Sequence, residues 1–205
     1  MSLGIVLPAA GASSRMRGRD KLLEEIDGVP LLPRQAGMAA GTGVPVLVTL
    51  PPMATERAAS LAALAKAGLE TRDVPDAAGG MSASLRVAAQ WATEKALNGM
   101  MIVLPDMPDV TAADLRRIAA LHGAYPDDVI RATDEAGGHG HPTLLPARLF
   151  AALGRLTGDT GAREILKGET IRPCPLDGCR ATTDLDTPEA WAAWRARRDG
   201  GGRRR

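Results

Sequence analysis

Residues 3–23 of the chain read LGIVLPAAGASSRMRGRDKLL. The apolar run at its start stops at Ala10-Gly11, which predicts a buried parallel strand followed by a loop. In an open parallel sheet, ligands bind beyond the carboxyl ends of the strands, and small residues let backbone N–H groups approach an anion closely. Arg15 and Lys21 add positive charge that suits a polyphosphate. The stretch therefore predicts a strand that leads into a phosphate-binding loop, with a plain small-residue turn carrying two solvated cations as the alternative.

Strand-like and helix-like segments alternate over the first 120 residues. Strands are predicted at 3–8, 45–49, 70–74 and 100–104, and helices at 30–40, 53–67, 82–97 and 111–122. This alternation indicates right-handed βαβ units, and hence an α/β, Rossmann-like fold with a mostly parallel sheet and helices on both faces.

The pattern changes after residue 122. Short strands are predicted at 129–133 and 143–145, around a Gly/His-rich loop, and near Thr170 and Thr182. Helices are predicted at 161–167 and from 187 to about 198. We therefore expect a single domain over residues 1–198, which includes a small subregion of strands and loops. Residues 199–205 are predicted to form a disordered Arg/Gly-rich tail.

Composition narrows the classes of function. The chain has 205 residues and a formal net charge of +1, so no overall electrostatic field favours nucleic acid or an anionic membrane. Its apolar runs are too short to span a bilayer, and its first residues lead directly into a strand pattern, with neither the basic region nor the cleavage site of a signal peptide. The expectation is a cytoplasmic protein with neither a nucleic-acid nor a membrane partner.

Two acidic segments are candidates for binding a metal ion. Asp106 lies in a Leu-Pro-Asp-Met-Pro turn at the end of a predicted strand, and Mg²⁺ prefers one or two carboxylates together with phosphate oxygens and water. Asp186 precedes Thr187 and Pro188, which suit the N-cap and first position of a helix. That local role does not require an aspartate at 186, which favours a functional interpretation of its carboxylate.

Three further motifs have both local and functional interpretations. The segment with Gly80, Ser82 and Ser84 offers N–H groups and hydroxyls to a base or ribose, or else a helix cap at Ser82. His139 and His141 form a His-x-His pair without a nearby third metal ligand. The segment at 158–163 precedes a helix and offers an anion site.

These motifs resemble, in the same order along the chain, those of nucleotidyltransferases with a Rossmann-like core. The first loop is similar to L-A-A-G-x-S-x-R-M-G-x-x-K, although Pro8 replaces a leucine and Arg17 is inserted before Gly18. The other segments resemble L-x-D-M-P, D-I-D-T-P-E-D, G-M-x-x-S-L-R, G-H-P-x-L-F and G-D-x-G-A-R. Together they are most similar to the molybdenum cofactor cytidylyltransferases.

The resemblance implies roles for individual residues. The implied nucleotide-binding residues are Pro8, Ala9, Ala10, Gly11, Ser13, Arg15, Lys21, Gly80, Ser82 and Ser84. The implied catalytic residues are Arg15, Lys21 and Asp106, and the implied metal ligands are Asp106 and Asp186. The implied acceptor-binding residues are His141, Pro142, Asp159, Gly161 and Arg163.

The function implied by the resemblance is Mg²⁺-dependent transfer of CMP from CTP to the terminal phosphate of molybdopterin, with release of pyrophosphate. A molybdoenzyme or its maturation chaperone is the implied partner. A guanylyltransferase, or a transferase acting on a sugar phosphate or methylerythritol phosphate, is the alternative within the same fold. A non-catalytic cofactor carrier is the alternative from another class, although a pure carrier has no use for a triphosphate and metal site.

Overall fold

The computed structural model describes residues 2–158 and 162–201. Its strands are β1 (Leu3–Pro8), β2 (Glu25–Ile26), β3 (Val29–Pro30), β4 (Val46–Leu50), β5 (Leu69–Asp73), β6 (Gly99–Ile102), β7 (Val129–Thr133), β8 (His139–Pro146) and β9 (Ile171–Pro175). Its α-helices are α1 (Leu31–Ala40), α2 (Thr55–Leu61), α3 (Gly80–Glu94), α4 (Ala112–Ala124), α5 (Phe150–Leu153), α6 (Arg163–Leu166) and α7 (Pro188–Gly201).

One sheet of seven strands organises the described residues, in the order β5-β4-β1-β6-β8-β7-β9. The pairs β1–β4, β1–β6, β4–β5 and β7–β9 are parallel, whereas β8 runs antiparallel to β6 and β7. The chain leaves β1 toward β4 on one side and returns to β6 on the other. The carboxyl ends of β1 and β6 therefore lie side by side at the point where the strand order reverses, where ligands bind in folds of this kind.

Both faces of the sheet are covered by helices. Alternate residues of the central strands point to opposite faces, and because these residues are apolar, helices must bury both faces. Ile5 and Leu7 of β1 join a core cluster with residues of α1, α4 and α7, whereas Val6 joins a second cluster with α3 and α5. Met100 and Met101 of β6 divide between the two clusters in the same way. The predicted α/β, Rossmann-like, mostly parallel arrangement with helices on both faces is confirmed.

The structure corrects several predicted element boundaries. Helix α3 begins at Gly80 with Gly79 as its N-cap, so Ser82 is not the cap but a buried residue of the first turn. Packing of that turn against the sheet outweighs the preference of serine for cap positions. At the other end of the chain, α7 continues through Gly201, beyond the predicted end of this helix at about residue 198. Residues 202–205 of the predicted tail lie outside the described residues.

The region after α4 also differs from the prediction. The Gly/His-rich segment at 139–142 is not a loop but the first half of β8. The strand pairs with β7 from His139 onward and with β6 from Thr143 onward, and this ladder pairing outweighs low intrinsic propensity. The predicted strand near Thr182 is a turn. The N–H groups of Thr182 and Thr183 both donate to the carbonyl oxygen of Cys179, which leaves them unavailable for a ladder.

Among the described residues, no helix is both long enough and apolar enough to cross a membrane.

Candidate active site

Lys21 lies between two carboxylates at the carboxyl edge of the sheet. Its Nζ is 2.5 Å from Oδ2 of Asp106 and 2.5 Å from Oδ1 of Asp186. Arg15 reaches the other oxygen of Asp186, with Nη2 2.5 Å from Oδ2. The structure thus brings together all of the residues predicted to be catalytic or to bind metal, although they come from three separate parts of the chain.

Strand order and one backbone hydrogen bond explain how these residues meet. The loop carrying Arg15 and Lys21 follows β1, and the turn carrying Asp106 follows the neighbouring strand β6. The N–H of Leu185 donates to the carbonyl oxygen of Asp106 at 3.0 Å, which fastens the segment before α7 to the same turn. Asp186 is therefore positioned by its chain neighbour rather than by a strand end.

The charges of this cluster compensate one another. Burial alone would lower the pKa of the Lys21 ammonium, but Asp106 and Asp186 outweigh it and raise that pKa above its usual value. For the Asp186 carboxyl, burial alone would raise the pKa. The hydrogen bond from Lys21 and the charges of Lys21 and Arg15 outweigh burial and lower that pKa below its usual value. Lys21 and Asp186 are therefore charged at neutral pH.

A cavity of about 160 Å³ opens beside Lys21. It is lined by the end of β1, the start of α3 and the turn after β6, that is, by Pro8, Ala10, Gly11, Lys21, Leu22, Gly80, Met81, Ser84, Leu104, Pro105 and Asp106. Most of the residues predicted to bind nucleotide therefore line one cavity, including both Gly80 and Ser84.

Four residues predicted to bind nucleotide do not line that cavity. Arg15 pairs with Asp186 instead, and the other three are Ala9, Ser13 and Ser82. Ala9 is buried, and its carbonyl oxygen faces away from solvent toward Arg57. The hydroxyl of Ser13 donates to Asp20 at 3.2 Å and accepts from the N–H of Lys21 at 3.4 Å, so it holds the loop together. Ser82 is fully buried in α3. These side chains support the walls of the cavity.

His141 and Pro142 lie in β8, near the acidic turn. Burial, together with the charge of Arg131, lowers the pKa of the His141 imidazole to about 4, so the ring is uncharged at neutral pH. The N–H of His141 donates to the carbonyl oxygen of Ala181 at 2.9 Å. This bond attaches the 181–186 segment, and with it Asp186, to the sheet.

Gly140 allows that attachment. A Cβ atom on Gly140 would lie 1.7 Å from the carbonyl oxygen of Ala181 and 2.5 Å from its carbonyl carbon. Because the obstacle is backbone, Gly140→Ala is expected to push the 181–186 segment outward. The free energy of unfolding should fall by roughly 1–3 kcal/mol, the usual effect of overpacking, and turnover should fall further than this loss of stability explains, because Asp186 moves.

Thermal unfolding and steady-state turnover at 25 °C measure both effects of the Gly140 variant. Gly37→Ala is the matched control, because a Cβ there would lie 3.8 Å from a leucine side chain, an ordinary contact. In a helix such a change is stabilising by roughly 0.5–1 kcal/mol. A Gly140→Ala protein with the melting temperature and turnover of the unsubstituted chain would show that this close approach does not position Asp186.

The remaining residues predicted to bind the acceptor are only partly placed. Arg163 begins α6 and lies close enough to Arg131 for its charge, after burial, to help lower the pKa of that guanidinium. Asp159 and Gly161 lie outside the described residues. The structure therefore places His141 and Pro142 beside the acidic turn and Arg163 beside a second arginine.

Two arginines near the site were not predicted from the sequence. One is Arg131, whose charge helps to lower the pKa of His141, and the other is Arg57. Arg57 is 6% exposed and donates hydrogen bonds into the loop after β1 from the first turn of α2. In the sequence it is one charge in an Ala-rich helical segment, and nothing in its neighbourhood separates it from a solvated side chain. Only the pairing of β1 with β4, which carries α2 to the site, gives it a role.

The arrangement of cations, carboxylates and cavity agrees with the family that the sequence matches. A model of the MobA-like NTP transferase domain matches residues 4–174. The chain belongs to this family. The MobA-like protein is therefore a nucleotidyltransferase whose substrate is a nucleoside triphosphate, which confirms the predicted enzyme class over that of a non-catalytic carrier.

Solved structures of similar proteins agree with this family membership. Rv0371c from Mycobacterium tuberculosis H37Rv is similar to the MobA-like chain at 28% identity and a TM-score of 0.80, over 94% of this chain and 97% of that one. Its complex with manganese matches at 26% identity and a TM-score of 0.75, over 94% and 97%. Molybdopterin-guanine dinucleotide biosynthesis protein A from Archaeoglobus fulgidus shares the fold at 13% identity and a TM-score of 0.69, over 98% and 100%. No curated protein sequence matches the chain.

Proposed function

We propose that this nucleotidyltransferase transfers CMP from CTP to the terminal phosphate of a molybdopterin-type acceptor, with Mg²⁺. The observation that carries the proposal is the position of Lys21, between Asp106 and Asp186 at the wall of the cavity formed by β1 and α3. Cations for a triphosphate and carboxylates for a metal ion meet at that point. The resemblance of the 80–86, 140–145 and 158–163 segments to the cytidylyltransferases supports cytosine and the pterin acceptor.

The residues present fit a divalent cation. Oδ1 of Asp106 is buried and has no hydrogen-bond partner within residues 2–158 and 162–201, so it is available to a ligand. The same part of the chain holds no group of three acidic, histidine or cysteine side chains arranged around a metal. Asp106 and Asp186 would therefore hold Mg²⁺ jointly with phosphate oxygens and water, the mixture that this ion prefers. The manganese complex of the Mycobacterium relative supports a divalent ion.

In the reaction, a terminal phosphate oxygen of the acceptor forms a bond to the α-phosphorus of CTP. The bond between that phosphorus and the bridging oxygen breaks, and pyrophosphate leaves with the electron pair. Mg²⁺ would supply charge neutralisation and polarisation of the α-phosphate. Lys21 and Arg15 bind the other phosphate oxygens, and the loop after β1 holds the triphosphate of CTP in line for attack.

The protein does not need a general base for this step. A phosphate monoester is already largely ionised near neutral pH, so the attacking oxygen carries no proton that must be removed. His141, with a pKa of about 4, is uncharged and cannot act as an acid at neutral pH. It contacts the acceptor only as a neutral imidazole.

Titration calorimetry with CTP, GTP, ATP and UTP, with and without Mg²⁺, tests the nucleotide part of the proposal. CTP should bind more tightly than the others, and only with Mg²⁺. Preference for GTP would move the protein to the guanylyl branch, and binding of none of the four would contradict the assignment of the cavity to the nucleotide.

The acceptor is tested separately by pyrophosphate release. With CTP and Mg²⁺ present, molybdopterin should support release, whereas methylerythritol phosphate and sugar phosphates should not. Release driven by one of those phosphates instead would assign the protein to that branch of the fold.

A further inference from the structure

We propose that Arg57 is a positioning residue that holds residues 8–21, here called the phosphate loop, in its anion-binding shape. The inference rests on the proposed function, which assigns this loop to the triphosphate. Arg57 projects from α2 behind the loop and is almost completely buried. It does not line the cavity, so it acts through the loop rather than on the substrate.

The guanidinium of Arg57 fastens both ends of the loop. At the first end, Nη1 donates to the carbonyl oxygens of Ala9 at 2.6 Å and Gly11 at 2.9 Å. At the second end, Nε and Nη2 donate to the two carboxylate oxygens of Asp20 at 2.6 and 2.9 Å. Arginine presents these donors in one rigid plane, so the two ends are held in a fixed relation.

Binding of these carbonyl groups determines where the neighbouring N–H groups point. In a planar trans peptide the C=O and N–H of one unit point in opposite directions. With the carbonyls of Ala9 and Gly11 turned toward Arg57, the N–H groups of Ala10 and Ala12 point away from it. In the described part of the chain no backbone acceptor takes either N–H. Ala10 and Gly11 line the cavity, so this face of the loop offers N–H groups to an anion there.

Asp20 transmits the same constraint to Lys21. The N–H of Leu22 donates to Oδ1 of Asp20 at 3.0 Å, so the peptides on either side of Lys21 are held by one carboxylate and by Ser13. Burial would raise the pKa of the Asp20 carboxyl, but the hydrogen bonds and charge of Arg57 outweigh it and lower that pKa. Asp20 therefore stays ionised and neutralises Arg57, which leaves Arg57 to act through geometry rather than through long-range charge.

The test measures binding of CTP and of cytidine, in Mg²⁺, to the unsubstituted protein and its variants, together with kcat and KM. GTP and guanosine replace them if the nucleotide series favours GTP. Arg57→Lys keeps the charge next to Asp20 but loses the planar fork. It should lower kcat/KM by roughly 100-fold, the usual effect of a small misplacement of substrate-binding groups. Affinity for CTP should fall strongly, whereas affinity for cytidine should be unchanged. Arg116→Gln is the matched control, because Arg116 also donates to a backbone carbonyl, that of Gly41 at 3.0 Å, but far from the site.

Chemical rescue separates positioning from general instability. Guanidinium ion should restore much of the kcat/KM lost in Arg57→Ala, whereas an equal concentration of sodium chloride should not. An Arg57→Lys protein with unchanged CTP affinity and kcat/KM would overturn the inference, as would an equal loss of CTP and cytidine binding. Lys21→Met keeps the two proposals distinguishable. If the unsubstituted protein binds no nucleotide, or if Lys21→Met binds CTP as tightly as the unsubstituted protein, the proposed function itself fails. If Lys21→Met weakens CTP binding but Arg57→Lys changes neither CTP affinity nor kcat/KM, only the proposed role of Arg57 fails.

Discussion

Asp106→Asn is expected to lower turnover by at least about 100-fold, because even residues that only orient metal ligands contribute 10- to 100-fold. One oxygen of this carboxylate is buried without a partner among the described residues, and the other is 2.5 Å from Lys21. The amide has nearly the same shape but no charge, so it is a poor ligand for Mg²⁺. Steady-state pyrophosphate release with CTP measures the effect, and thermal unfolding should show a folded protein, since Lys21 keeps its bond to Asp186.

Asp109→Asn is the matched control for this variant. Asp109 lies three residues further along the same turn, and its Oδ1 accepts a hydrogen bond from Nε1 of Trp194 at 2.9 Å. Asparagine keeps an oxygen that accepts from Trp194, so this substitution removes one charge from the same turn without touching the cluster around Lys21. Turnover should therefore stay within a few-fold of the unsubstituted enzyme. Turnover of Asp106→Asn equal to that of Asp109→Asn would contradict the assignment of Asp106 to the metal ion.

Lys21→Met is expected to have two opposite effects. Affinity for CTP should fall, because the proposed triphosphate site loses a fixed cation. Affinity for Mn²⁺ in the absence of nucleotide should rise, by on the order of tenfold or about 1.4 kcal/mol, because Asp106 and Asp186 lose the ammonium that lies 2.5 Å from each. Electron paramagnetic resonance titration of Mn²⁺ measures the second effect without any need for turnover.

Lys95→Met controls for a general change of charge. Lys95 pairs with Glu70 at 2.6 Å on the surface, at the end of α3 remote from the cluster. It should change neither CTP nor Mn²⁺ affinity. Weaker CTP binding without tighter Mn²⁺ binding would mean that Lys21 serves the triphosphate but that the ion is not held between the two carboxylates.

Short-range interactions made parts of the fold and of the candidate site predictable from the sequence. Thr111 caps α4 in a capping box with Asp114, as short-range hydrogen bonding requires. Asp106 follows a short apolar strand, and strand ends in parallel sheets converge on one edge. The resemblance to the D-I-D-T-P-E-D motif added Asp186, whose local sequence explains only the start of α7.

The roles of single side chains were less predictable, because they depend on where each side chain points. Ser13 and Ser82 carry hydroxyls in segments that border the cavity, yet one closes the phosphate loop and the other is buried in the first turn of α3. Lys21 was predicted to bind phosphate, and the structure shows it paired with both carboxylates. Such partners follow from the packing of distant segments.

The amino-acid sequence is sufficient to predict the alternation of buried strands and helices, the position of the phosphate loop and the acidic turn at strand ends, and the family. These features depend on periodicity and on residues adjacent in the chain, which short-range physical chemistry controls. Three features depend on tertiary packing: β8 runs antiparallel beside β6, Gly140 lets Ala181 approach it, and Arg57 reaches Asp20. Each of these depends on contacts between segments far apart in the chain, and such contacts exist only once the whole sheet has formed.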